Sequence, residues 1–247
     1  MYKRQEVDGF EPVGDLGTAR ADQSATLLPD GRVLVAGGSG TDGTVLDTTE
    51  YFDPRTGAFT PGPPLPRPRA AHVAVLAGSD LVLVGGTEDT AAIATTEVLD
   101  VRGGGWTAGP DLGTARVKMG AVPLGDGKVF VVGGATDSEG RTKLRSSELV
   151  DVRAGTVTAG PDLAEGEYKL DGAVATLGDG RIVVGGGTAL DVYDAAASSV
   201  RRVEVPAYDA RSFRTVTTVG PDTVLVLGGY DARIQPTDAA YLVTIPG

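Results

Sequence analysis

The chain contains no cysteine, one histidine (His72), one tryptophan and two methionines among its 247 residues. The absence of cysteine excludes disulfides, thiolate metal sites and cysteine nucleophiles together. With a single imidazole the sequence also lacks the paired histidines of copper, iron and zinc centres, so it predicts no bound metal and no cofactor. No apolar run approaches the roughly 18 residues of a membrane span. The opening MYKRQEVDGF has basic residues but no apolar segment behind them, unlike a secretory signal. The expectation is a soluble, cytoplasmic protein, with export through a removed signal left open. Positive charge is scarce as well: 22 Lys and Arg stand against 33 Asp and Glu, a net charge of −11. That balance argues against nucleic-acid and anionic-membrane partners, which are bound largely by neutralising phosphate.

What the chain has in excess is glycine, 37 residues, and much of it recurs in one setting. A short apolar run ends in a glycine pair five times: VLVAGG at Val33–Gly38, LVLVGG at Leu81–Gly86, VFVVGG at Val129–Gly134, RIVVGG at Arg181–Gly186 and VLVLGG at Val224–Gly229. The first glycines, at 37, 85, 133, 185 and 228, are 48, 48, 52 and 43 residues apart. Such a period marks a repeat architecture, and no linker interrupts it, so residues 1–247 read as one domain. Ahead of each run lie a second apolar segment and a Gly/Asp turn such as Pro29-Asp30-Gly31 or Gly125-Asp126-Gly127, the pattern of a β-hairpin. After each glycine pair a polar loop leads to a third strand (EYFD at Glu50–Asp53, EVLD at Glu97–Asp100, ELVD at Glu148–Asp151), then a turn and a short fourth strand. Four strands per repeat of this length make one propeller blade.

The glycine pair, the acidic third strand, the aromatic near the fourth (Phe59, Trp106) and a Gly-Pro-x-Leu step at Gly62–Leu65, Gly109–Leu112 and Gly160–Leu163 together resemble kelch repeats. The resemblance spans roughly residues 10–245 and implies an all-β, five-bladed kelch-type propeller of four-stranded antiparallel blades, where kelch propellers usually have six or seven. The fifth unit stops after its third strand, while Phe10–Leu16 aligns with the fourth-strand segments and has no blade of its own. The sequence therefore predicts that the N-terminal strand completes the last blade and closes the ring.

Aligned on the glycine pairs, Arg20, Arg69, Arg116 and Arg211 form a column, with Tyr168 in the fourth repeat. They begin the innermost strands, so they are placed at one mouth of the channel. One reading makes them a cationic site for an anionic ligand. In kelch recognition domains, arginines at this place hold acidic peptides, which is what the resemblance implies here. The other reading makes them part of the repeat framework, with Glu50, Glu97 and Glu148 as partners. Three residues on, the column diverges to Gln23, His72, Met119, Asp171 and Arg214. His72 and Asp171 there are the candidates for general acid-base work. The acidic loop residues Asp42, Glu88, Asp89, Asp137, Glu139 and Asp231 lack the spacing of a calcium loop.

The function expected is a monomeric binding module, not an enzyme, recognising an acidic peptide or a small carboxylate or phosphate through Arg20, Arg69, Arg116, Tyr168, Arg211 and Arg214. The alternatives are a metal-independent sugar-active enzyme resembling kelch-fold mutarotases and epimerases, and a structural repeat protein without a ligand. Fold alone does not choose among them.

Overall fold

The computed structural model describes residues 12–247. Their regular structure is all β: five antiparallel sheets, each a meander in chain order. Blade one is β1 (Ser24–Leu27), β2 (Val33–Ala36), β3 (Thr49–Asp53) and β4 (Ala58–Pro61). Blade two is β5 (Val73–Ala77), β6 (Asp80–Val84), β7 (Thr96–Asp100) and β8 (Trp106–Ala108). Blade three is β9 (Gly120–Gly125), β10 (Lys128–Val132), β11 (Ser147–Asp151) and β12 (Thr156–Ala159). Blade four is β13 (Val174–Thr176), β14 (Ile182–Val184), β15 (Leu190–Asp194) and β16 (Ser199–Val203). Blade five has three strands, β17 (Thr215–Gly220), β18 (Thr223–Leu227) and β19 (Ala240–Thr244).

The apolar runs of the second strands in blades two, three and four are buried throughout because both of their faces are covered. Along β10, Val129 and Val131 pack with Val82 and Val84 of blade two, while Phe130 and Val132 pack with Ile182, Val184 and Tyr193 of blade four. Phe130 and Tyr193 stack with ring centroids 4.2 Å apart across that junction. Burying each such side chain contributes roughly 1.5–3 kcal/mol. The Gly-Pro-x-Leu step has a matching cause. The hydroxyls of Thr49, Thr96 and Ser147 donate to the carbonyls of Pro63, Pro110 and Pro161 at 2.7–2.8 Å, and Leu65, Leu112 and Leu163 are buried beyond them. At the glycine pair itself, Gly37 has φ +61°, and a Cβ there would lie 2.3 Å from the Arg69 carbonyl oxygen. Only glycine lets the first blade approach the second that closely.

Blade four departs from the aligned repeat by one residue. Val184 pairs with Asp191 as Val131 pairs with Glu148, so Gly186, not Gly185, holds the first place of its glycine pair. The extra glycine of Gly185-Gly186-Gly187 hid this offset in the sequence.

The expected closing strand falls largely on residues 1–11, outside the described residues. Residues 12–16 form no strand, and the Gly14 amide donates to the Gly57 carbonyl of blade one at 2.8 Å. In blades one to three the aligned glycine instead donates to its own third strand (Gly62 to Thr49, Gly109 to Thr96, Gly160 to Ser147). Among the described residues β19 therefore pairs with β18 alone. Inner strands abut from β1 to β5, β9, β13 and β17, with nothing comparable from β17 back to β1.

Candidate functional site at the axial mouth

Each blade is entered by a short segment that crosses from its predecessor over the glycine pair. Gly38, Gly86 and Gly134 donate their amides to the carbonyls of Arg69, Arg116 and Glu167 at 2.8–2.9 Å, tying blade to blade. Two residues further on, each segment turns through the left-handed region without glycine: Asp22 (φ 54°), Ala71 (50°), Lys118 (52°), Lys169 (60°) and Phe213 (58°). This conformation costs an L-residue roughly 1–2 kcal/mol. A chain of backbone bonds offsets it, with Ala71 donating to Asp22, Lys118 to Ala71 and Leu170 to Lys118 at 2.9–3.2 Å. All five left-handed residues line one cavity of about 60 Å³, together with Gln23, His72, Val73, Met119 and Asp171. This is the axial mouth, where the five entering segments converge.

The arginine column does not belong to it. The side chains of Arg20, Arg69 and Arg116 are fully buried and paired with Glu50 (2.8 Å), Glu97 (2.7 Å) and Glu148 (2.5 Å). Each guanidinium also donates to two backbone carbonyls: Gly37 and Thr48, Gly85 and Thr95, and Gly133 and Ser146. Burial lowers the pKa of Arg69 and Arg116, opposed by Glu97 and Glu148 respectively. With both terminal nitrogens of each guanidinium bonded within the repeat and the unpartnered Nε buried, these arginines have little left for a ligand. Arg211 pairs with Asp209 at 2.8 Å and donates to the Gln235 carbonyl. Arg214 is buried, shares Asp209 and stacks over Tyr208 at 3.8 Å from the ring centroid.

In blade four the arginine's place is held by Glu167, one residue before Tyr168. Its amide donates to Leu144 and its carbonyl accepts from Gly134, as Arg116 does with Ile93 and Gly86. The pair Arg–Glu becomes Glu167–Asp191. Burial, with the Asp191 charge adding to it, pushes Glu167 up to about 8, against the Gly186 amide that donates to it at 2.9 Å. Tyr168 lies instead beside the mouth, buried, its hydroxyl donating to the Ser138 carbonyl at 2.7 Å.

His72 and Asp171 line the same cavity, but no hydrogen bond joins them. The His72 Nε2 is 2.9 Å from the Ser24 hydroxyl, and its Nδ1 is buried without a partner. Burial first, then the Arg69 charge, lowers its pKa to about 3. Such an imidazole is a weak base, poorly matched to general-base work near neutrality.

Sequence reasoning missed Lys118 and Lys169. The Lys169 Nζ sits 5.4, 5.0 and 5.3 Å from the ring centroids of Tyr168, Phe213 and Tyr230 and 2.8 Å from the Tyr230 hydroxyl. The Lys118 Nζ lies 5.8 Å from the Tyr168 ring. Neither ammonium has a carboxylate within salt-bridge distance among the described residues. Their signal was the position two beyond each arginine, obscured because Tyr168 was aligned where Glu167 belongs. A larger groove of about 500 Å³ between blades two and three is lined by Asp111, Thr114, Glu148 and Asp162, of which Glu148 is already committed to Arg116.

Residues 23–66 match the family model described as the Kelch motif. A solved structure titled "Structure of YjhT" is similar in fold, with a TM-score of 0.72 and 13% sequence identity over 93% of this chain and 82% of that chain. At that identity the likeness speaks for architecture alone.

Proposed function

From a chain built of kelch-type repeats, we propose an interaction module that takes an acidic peptide segment at its axial mouth, with Lys118 and Lys169 as the receiving cations. One observation carries the reading: two half-buried lysines line a shared cavity, and neither has a carboxylate partner among the described residues, in a protein whose framework arginines are paired. Aromatic rings around Lys169 hold its charge at the axis. A cavity of about 60 Å³ admits a carboxylate-sized group, whereas small-molecule sites run to about 300 Å³ or more. Size thus favours one acidic side chain of a peptide over a whole sugar or nucleotide. Asp22 and Asp171 at the rim would restrict how that chain lies.

Thermal denaturation with hexaglutamate, with hexalysine as control, tests the reading. Hexaglutamate is expected to raise the melting temperature, and about 0.5 M salt to remove the shift. Equal shifts from both peptides, or none from either, would exclude anion recognition at the mouth.

A further inference from the structure

The junction of blades three and four uses the same strand positions as that of blades one and two, but it places its aromatic rings differently. Between blades one and two, Leu34 and Leu99 are enclosed, and the half-buried Tyr51, Trp106 and Val101 pack over them. By strand register the matching residues of the other junction are Phe130 and Tyr193 in the enclosed places, with Leu149, Val200 and Ala195 over them. The two rings now stack within the core, and smaller side chains hold the outer places. They leave a groove of about 440 Å³, lined by Leu124, Leu149, Tyr193 and Ala195 together with Lys128 and Thr158. Two polar groups on it are unspent. Lys128 stands where blade one has Arg32, which pairs with Asp30 and lies 4.1 Å from the Tyr51 ring centroid. Lys128 is exposed, with Leu149 in place of that ring and no carboxylate within salt-bridge distance among the described residues. Asp151 opposite it accepts from the Arg153 and Ala154 amides. Tyr193 is only 1% exposed, yet no hydrogen bond among the described residues reaches its hydroxyl. A buried tyrosine hydroxyl usually has a partner.

We propose that this groove is a second binding site, for a small hydroxylated aromatic carboxylate. Its ring lies on Leu149 and Ala195, the places that Tyr51 and Val101 hold in the other junction, so the repeat itself shows what fits there. Its carboxylate meets the Lys128 ammonium, as a charge-assisted contact. The Tyr193 hydroxyl donates to an oxygen substituent of the ring. A volume of about 440 Å³ suits such a ligand, since small-molecule sites run from about 300 to 1,000 Å³. None of the residues at this groove lines the axial mouth, so the inference is independent of the anion placed there.

The probe is 4-hydroxybenzoate, titrated calorimetrically into the whole chain, with phenol and cyclohexanecarboxylate as controls that lack the carboxylate and the aromatic ring. The probe is expected to bind saturably, one to one, and both controls far more weakly. Lys128→Gln should weaken binding about tenfold or more, the weight of one charge-assisted contact. Leu149→Tyr restores the ring that blade one carries and should abolish binding while leaving the melting temperature nearly unchanged. Tyr193→Phe keeps the stack on Phe130 and should weaken binding several-fold. Hexaglutamate affinity should be the same in Lys128→Gln as in the wild type, and Lys169→Glu should bind 4-hydroxybenzoate normally. The absence of saturable binding would overturn the inference, as would equal binding of cyclohexanecarboxylate or unchanged affinity in both Lys128→Gln and Leu149→Tyr. Loss of 4-hydroxybenzoate binding in Lys169→Glu would place the ligand at the mouth and overturn it as well.

Discussion

Two residue columns lie only two positions apart on the segments that enter the blades, and they behave oppositely. Arg20, Arg69 and Arg116 repeat, are buried, and meet the same partners in each blade. Asp22, Ala71, Lys118, Lys169 and Phe213 share a backbone conformation and nothing else, and they surround the axis. The contrast teaches that identity between repeats marks what holds the blades together. Variation on a shared backbone marks where the proposed function places a ligand. Blade four supplies an internal check, since Glu167 stands at the arginine's place there and is buried, its pKa raised in part by the Asp191 charge, with no cationic pocket opened.

The sharpest way to break the comparison is Arg116→Ala. Removing one partner of a buried ion pair leaves Glu148 uncompensated and should cost about 3–5 kcal/mol. Urea denaturation at pH 7 measures it, and hexaglutamate affinity of the protein that remains folded should not change. A stable variant with lost affinity would return the arginine to the ligand.

Next comes pH. Glu167 has a folded pKa of about 8, above its ordinary value of 4.5, so the folded state binds the extra proton between the two. Stability should fall as pH rises from about 4.5 to 8, by a total on the order of a few kcal/mol. Glu167→Gln keeps an acceptor for the Gly186 amide and should flatten that slope in denaturation series. His72 acts in the other direction: lowered to about 3, it contributes stability above pH 6.5 that is lost as pH falls towards 3. The acid limb should therefore persist in Glu167→Gln and shrink in His72→Gln.

The smallest effect tests the backbone of the second column. Ala71→Gly relieves a left-handed residue at some cost in unfolded-chain entropy, for a net gain of about 0.5 kcal/mol. A loss of stability there would show that the Ala71 methyl group matters more than its dihedral angle.

The sequence carried the blades well because both determinants are local. Apolar runs such as Val129–Val132 need neighbours on two sides, and Gly37 fills a place where a Cβ would strike Arg69. The framework partners were legible too, since Glu50, Glu97 and Glu148 recur in step with the arginines. The mouth was harder to read. Positive φ at Lys118 or Phe213 leaves no mark in residue type, because neither is glycine. The one-residue offset in blade four put Tyr168 where Glu167 stands and Asp171 where Leu170 stands. The expected closing strand falls largely outside the described residues, and within them the Gly14 amide bonds to Gly57 of blade one.

The central claim is that the mouth lysines, and not the framework arginines, receive an anion. It is tested most directly by titrating labelled hexaglutamate into the wild type and the Lys118→Glu and Lys169→Glu variants, with fluorescence anisotropy as the readout. A charge-assisted contact is worth roughly 1.5–3 kcal/mol, so each reversal should weaken binding at least about tenfold, with the melting temperature held within a few degrees. Equal affinity in all three proteins would contradict the claim.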